Sequence, residues 1–134
     1  MLTEKDYCDY DTCVALRELG YVGICDAYYE LTGTKEYNRD SFELLYTRDF
    51  IHPDDKDRVA APLLYQAQKW IREQKHLHVT IFSQSQESWQ YRITKPYQKL
   101  EDGLHGEDFS SYEEALSEGI KNTINFLKEN NELV

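Results

Sequence analysis

No stretch of this chain approaches the ~18 consecutive apolar residues that a membrane-crossing helix requires, so no membrane partner is expected. The opening residues, Met1 to Asp6, lack a basic stretch followed by an apolar one, and no secretory signal is expected either. Cysteine is scarce: Cys8, Cys13 and Cys25 make an odd count near the start of the chain. A secreted disulfide scaffold needs more cysteines and usually an even number, so reduced thiols in a cytoplasm are the simpler reading. A zinc site wants a fourth ligand and paired spacing, which these three do not offer. The glycine-rich loops that cradle phosphates are missing, because Gly33, Gly103 and Gly106 lack the strand-loop-helix setting. No G-x-S-x-G elbow surrounds Ser110 or Ser111. No cofactor is implied.

What the chain does hold is aromatic and acidic. Eleven tyrosines and two tryptophans help lift the aromatic share to 13%, too rich for a disordered segment. At 134 residues, 40% apolar and 30% charged, the sequence reads as a single domain over 1–134 able to bury its own core. The formal charge of −10 is unevenly spread. Residues 1–55 carry 5 basic and 13 acidic side chains, residues 56–100 carry 8 and 3, and residues 101–134 carry 2 and 9. Phosphate contacts need a clustered positive surface, so the total argues against nucleic acid as a partner. The basic centre, which holds Lys69 and Arg72, faces the acidic ends or solubilises a helix face.

The pattern of the chain gives the order α-β-(β)-α-β-β-α, a compact α+β sandwich of short antiparallel strands with about three helices. Residues 10–20 read as a first helix, with Asp11 or Thr12 as cap, Gly20 as a left-handed stop, and Val14, Ala15, Leu16 and Leu19 as its apolar stripe. Residues 23–30 are rich in strand formers and 32–38 form a polar turn. Residues 41–50 fit either period, with strand favoured in the second half. His52 to Asp55 is a turn that can open a short helical segment. A second long helix starts at Ala60-Ala-Pro62 and runs to about Gln74, burying Leu63, Ala67, Trp70 and Ile71 while Gln66, Lys69, Arg72 and Glu73 meet water. Alternation over 77–83 and 89–95 marks a hairpin with a five-residue connector, 84–88. A capping box at Ser110 or Ser111 starts the last helix, whose stripe is Tyr112, Leu116, Ile120, Ile124 and Leu127. Gly119 interrupts that stripe and marks close packing against a strand.

Several residues invite chemistry. His76 and His78 share a strand face, but no third ligand is visible. His52 with Asp54 and Asp55 has acid–base components, though Pro-Asp-Asp before a helix is ordinary capping chemistry. The aromatics are more informative. Tyr28 and Tyr29 point to opposite faces, and Phe82 lies opposite Val79 and Ile81. If the sheet has an open face, Phe82, Arg92 and one of Tyr28 or Tyr29 form an interaction patch; if helices cover both faces, they are core. The candidate binding residues are therefore Tyr28, Phe82 and Arg92, together with the basic Lys69 and Arg72.

Residues 61–73 carry the pattern A-P-x-x-x-Q-A-x-x-W-x-R-E. Gly20-Tyr21, the run Cys25-Asp-Ala-Tyr-Tyr29 and the run from Ser111 to Ile120, S-Y-E-E-A-x-x-x-x-I, accompany it. In these features the chain resembles a family of small uncharacterised proteins from gut anaerobic bacteria, their phages and mobile elements, with residues 33–58 longer than the family pattern. The resemblance implies a small α/β sandwich and no established activity. Residues 50–58, with I-H-P-D-D, also resemble a segment of PAS sensory domains, and the last helix resembles that of small antitoxin-like domains. The expectation is thus a non-enzymatic accessory or protein-interaction module with a protein partner. The alternatives are a small-ligand sensor, which a strand at 111–128 favours and a helix there counts against, and an enzyme using the His52 turn.

Overall fold

The computed structural model describes residues 2–22, 24–31, 42–95 and 108–129. The protein is α+β: among those residues, three α-helices accompany five strands in two small antiparallel sheets. The chain sets out two compact units, Tyr7–Leu63 and Met1–Asp6 with Leu64–Val134. The turn expected at 32–38 lies outside the described residues. No helix of the described residues is long and apolar enough to cross a membrane.

In the unit Tyr7–Leu63, helix α1 spans Tyr10–Glu18. Its cap is Asp9 rather than Asp11 or Thr12: the Asp9 carboxylate accepts the Thr12 amide at 2.9 Å. Asp and Thr both cap well, and only the chain's path selects Asp9. Gly20, at φ +103°, ends the helix as expected, and the Tyr21 amide returns to the Leu16 carbonyl at 2.9 Å. Strands β1 (Ile24–Leu31), β2 (Phe42–Phe50) and β3 (Arg58–Ala60) form a sheet in the order β2-β1-β3. The ambiguous segment is thus strand from Phe42 to Phe50. Where a helical start was expected after His52, the chain turns and enters β3. On β1, Cys25, Ala27 and Tyr29 are buried, while Asp26, Tyr28 and Glu30 are not.

The three cysteines are buried and unpaired. The Cys13 thiol donates to the Cys8 carbonyl at 3.5 Å, and the Cys25 sulfur lies 3.6 Å from the Tyr21 hydroxyl. Burial pushes the Cys13 and Cys25 thiols above their ordinary range, so both are held as small apolar side chains.

In the second unit, α2 spans Leu64–Trp70 and passes directly into a π-helical turn, Ile71–Lys75, closed by His76 at φ 59°. The helix starts later than Ala60-Ala-Pro62 suggests. Those residues extend the sheet instead: the Ala61 amide donates to Ala27 and the Pro62 carbonyl accepts from Cys8, both at 3.0 Å. Strands β4 (His78–Ser85) and β5 (Ser88–Thr94) form the hairpin. Its connection is two residues, Gln86 and Glu87, not five, because a bulge at 83–85 carries the pairing to Ser85↔Ser88 and the Ser83 hydroxyl bonds the Ser85 carbonyl across it. Helix α3 spans Tyr112–Glu129, with its first turn capped by Ser111, whose hydroxyl accepts the Glu114 amide at 3.1 Å. Leu116, Ile120, Ile124 and Leu127 are buried as expected, and Gly119 lies against Val79 and Tyr91. Tyr112 departs from the stripe at 40% exposure; as the first helical residue it stands edge-on to Trp89, ring centres 5.6 Å apart. A helix over 112–129 is the outcome that argues against a sensory domain.

Candidate functional site

The hairpin separates its side chains by parity. Val79, Tyr91 and Ile93 are buried, and α3 meets that face through Gly119. His78, Thr80 and Arg92 on the opposite face are exposed, and Phe82, Gln90 and Thr94 are half-buried. This is the half-solvated antiparallel sheet that period-two patterning produces. Thr80 pairs with Arg92 and Phe82 with Gln90, so Arg92 sits diagonal to Phe82. Its guanidinium carbon lies 5.4 Å from the Phe82 ring centre. A cation over an aromatic face at an exposed position contributes about 0.5–1 kcal/mol and restrains both side chains.

The two edges of the hairpin differ. Along β5, Trp89 and Phe109 exchange both backbone bonds, at 2.9 and 2.8 Å. Along β4, no strand of the described residues pairs with the outer edge. Instead, the Gln68 side-chain amide of α2 donates to the Val79 carbonyl at 2.6 Å. Beside this bond runs an open groove of about 280 Å³ lined by Gln68, Arg72, His78, Val79, Thr80, Ile81 and Tyr112. The π-helical turn that supplies Arg72 is a form found disproportionately at functional positions.

Of the residues singled out from sequence, Phe82 and Arg92 are brought together, and Arg72 lines the groove. Lys69 is exposed on α2 and is not part of the groove lining. Tyr28 belongs to the other unit, half-exposed, with the Arg58 guanidinium carbon 5.8 Å from its ring centre. Tyr29 is the core member of that pair: it is 4% exposed and its hydroxyl donates to the Cys8 carbonyl at 2.9 Å. Gln68 is the residue that sequence reading missed. A neutral carboxamide on a helix carries no mark of the strand edge it will cap.

The His52 turn is organised for structure. His52 Nδ1 accepts the Asp54 amide at 3.1 Å, and the two side chains are 66% and 92% exposed. Asp55 accepts the amides of Asp57 and Arg58 at 2.9 Å and the Arg58 guanidinium at 3.1 Å. The Asp57 amide above all, then the Arg58 amide and guanidinium, hold this carboxyl below its ordinary range. Such a group stabilises the fold above the unfolded carboxylate range and loses that contribution as pH falls through its lowered value. Asp55→Ala is therefore expected to cost about 1–2 kcal/mol at neutral pH, with the gap closing below about pH 4. Urea unfolding of both proteins at pH 7 and pH 3 reads this directly; an equal gap at both values contradicts it.

Among the described residues, no group of three or more His, Cys, Asp or Glu side chains is placed to hold a metal ion. His76 ends the π-helical turn and His78 opens β4. No family model, curated protein or solved structure matches this chain.

Proposed function

We propose that this chain is a non-enzymatic protein-interaction module, an accessory protein of the phage or mobile-element kind its family resemblance implies, acting in the cytoplasm. The observation that carries this reading is the exposed face of the β4–β5 hairpin, where Arg92 holds Phe82 in place while the reverse face packs on α3. An aromatic side chain and an arginine, set among small polar groups on a backed sheet, form the composition that dominates binding energy in protein interfaces. A sheet packed on a helix presents its side chains without the ordering cost a loop incurs. The charge of −10 favours a protein over nucleic acid as the partner.

Capture from nuclease-treated native lysate with the tagged full chain tests this reading. The wild-type protein is expected to retain one partner in near-equal amount, and a Phe82→Ser/Arg92→Glu double variant to lose it. Arg92 is exposed and Phe82 half-buried on the solvated face, so the variant is expected to stay folded, with a melting temperature lowered by a few degrees at most for the lost cation–aromatic pair. Retention of the partner by the double variant, or no partner for either protein, overturns the reading.

A further inference from the structure

We propose that β4 is a docking edge at which an extended acidic segment of a partner protein adds as a third strand, and that Gln68 is an internal plug the segment displaces. This rests on the reading of the hairpin as the interaction surface and specifies its mode. The Gln68 side chain ends in a primary amide, chemically the group that a neighbouring strand presents. Its Nε2 donates to the Val79 carbonyl at 2.6 Å, so that carbonyl points away from β5 and toward the groove. One outward acceptor of the edge is thereby satisfied from within the unit, as native proteins do with exposed strand edges. A neighbouring strand runs about 4.8 Å away and advances about 3.3 Å per residue. The Val79–Ile81 stretch therefore meets about three residues of an incoming chain, and β4 continues to Ser85 beyond them.

Charge selects the occupant. Arg72 lines the groove together with His78, and among the described residues the lining contains no carboxylate. Lys69 is exposed on α2, and Arg92 is exposed on the face of the same hairpin. A second copy of β4 approaching edge to edge would bring Arg72 against the Arg72 of its partner, with like charges opposed. An acidic extended segment meets Arg72 in the groove with the opposite sign. Main-chain pairing supplies the adhesion and alternate side chains supply the selectivity, as in other strand-addition complexes.

The test uses the isotope-labelled full chain and a blocked peptide alternating glutamate with valine and threonine, followed by amide shifts. Saturable shifts are expected at residues 79–83 and at the Gln68 side-chain amide. A lysine version, and a version N-methylated at alternate amides, are expected not to bind. Gln68→Ala removes the competitor and is expected to tighten binding about fivefold. Arg72→Glu is expected to weaken it about tenfold or more. Equal binding of the acidic and lysine peptides, tolerance of N-methylation, or an unchanged affinity in Gln68→Ala overturns the proposal. In lysate capture, a partner lost by the Phe82/Arg92 variant but held equally by wild type, Gln68→Ala and Arg72→Glu sinks strand addition alone. Absence of any partner sinks the interaction reading itself.

Discussion

Replacing Gly119 by valine is expected to destabilise the protein by about 3 kcal/mol or more, a large share of the ~5–15 kcal/mol that holds a typical domain together. A Cβ at this position would stand 2.8 Å from Val79 Cγ1, 3.1 Å from Tyr91 Cβ and 3.2 Å from Tyr91 Cγ. These are not the free ends of flexible chains. Val79 is β-branched and Tyr91 is pinned at its far end, where its hydroxyl accepts from Asn122 Nδ2 at 2.7 Å. The clash therefore moves α3 away from the hairpin instead of moving one side chain. Gly119→Ala separates the causes: alanine gains ~1 kcal/mol of helix propensity, yet overpacking outweighs it and leaves a net loss of about 1–2 kcal/mol. Denaturant midpoints of both variants check this, and a stabilised alanine variant contradicts it. The hairpin's exposed face depends on this contact, because α3 is what backs it.

Arg17→Met is expected to cost about 2–3 kcal/mol by stripping donors from partly buried carbonyls while keeping the aliphatic stem. Arg17 stands in the last turn of α1, and its Nη1 donates to the Asp55 carbonyl at 2.8 Å and to the Arg58 carbonyl at 3.3 Å. One guanidinium thus fixes the helix end to the turn that feeds β3. Leaving both carbonyls without that donor costs more than a surface ion pair would. Urea unfolding of the variant reads the loss, and a midpoint within error of wild type contradicts it. Because the His52 turn hangs on this contact, Arg17→Met also bears on the enzyme alternative: it is expected to lower stability and to remove no defined activity.

The hairpin and α3 were open to sequence reading because each announces itself locally. Val79, Tyr91 and Ile93 alternate with polar residues, and Ser111 with Glu114 caps a stripe of period near 3.6. The elements that escaped depend on distant partners. β3 is three residues whose extended form comes from pairing with β1 and from the turn that Asp55 closes. Pro62 suits a helix start, yet its carbonyl is taken by Cys8 and the helix waits for Leu64. Of the candidate site, Phe82 and Arg92 followed from parity, since same-face residues on neighbouring strands must approach one another. Which of Tyr28 and Tyr29 is buried required knowing which face α1 and Cys8 occupy. The Gln68 bond to Val79 joins a helix and a strand edge, and no periodicity encodes it.

The claim that the hairpin's exposed face is where the partner sits is tested most directly by hydroxyl-radical footprinting of the full chain, alone and in the captured complex. Phe82 is the reporter, and Tyr46 and Phe50, 62% and 51% exposed in the other unit, are the rival aromatic positions. Phe82 is expected to lose reactivity in the complex while Tyr46 and Phe50 keep theirs. Protection of Tyr46 and Phe50 with Phe82 unchanged would place the partner on the other unit and contradict it.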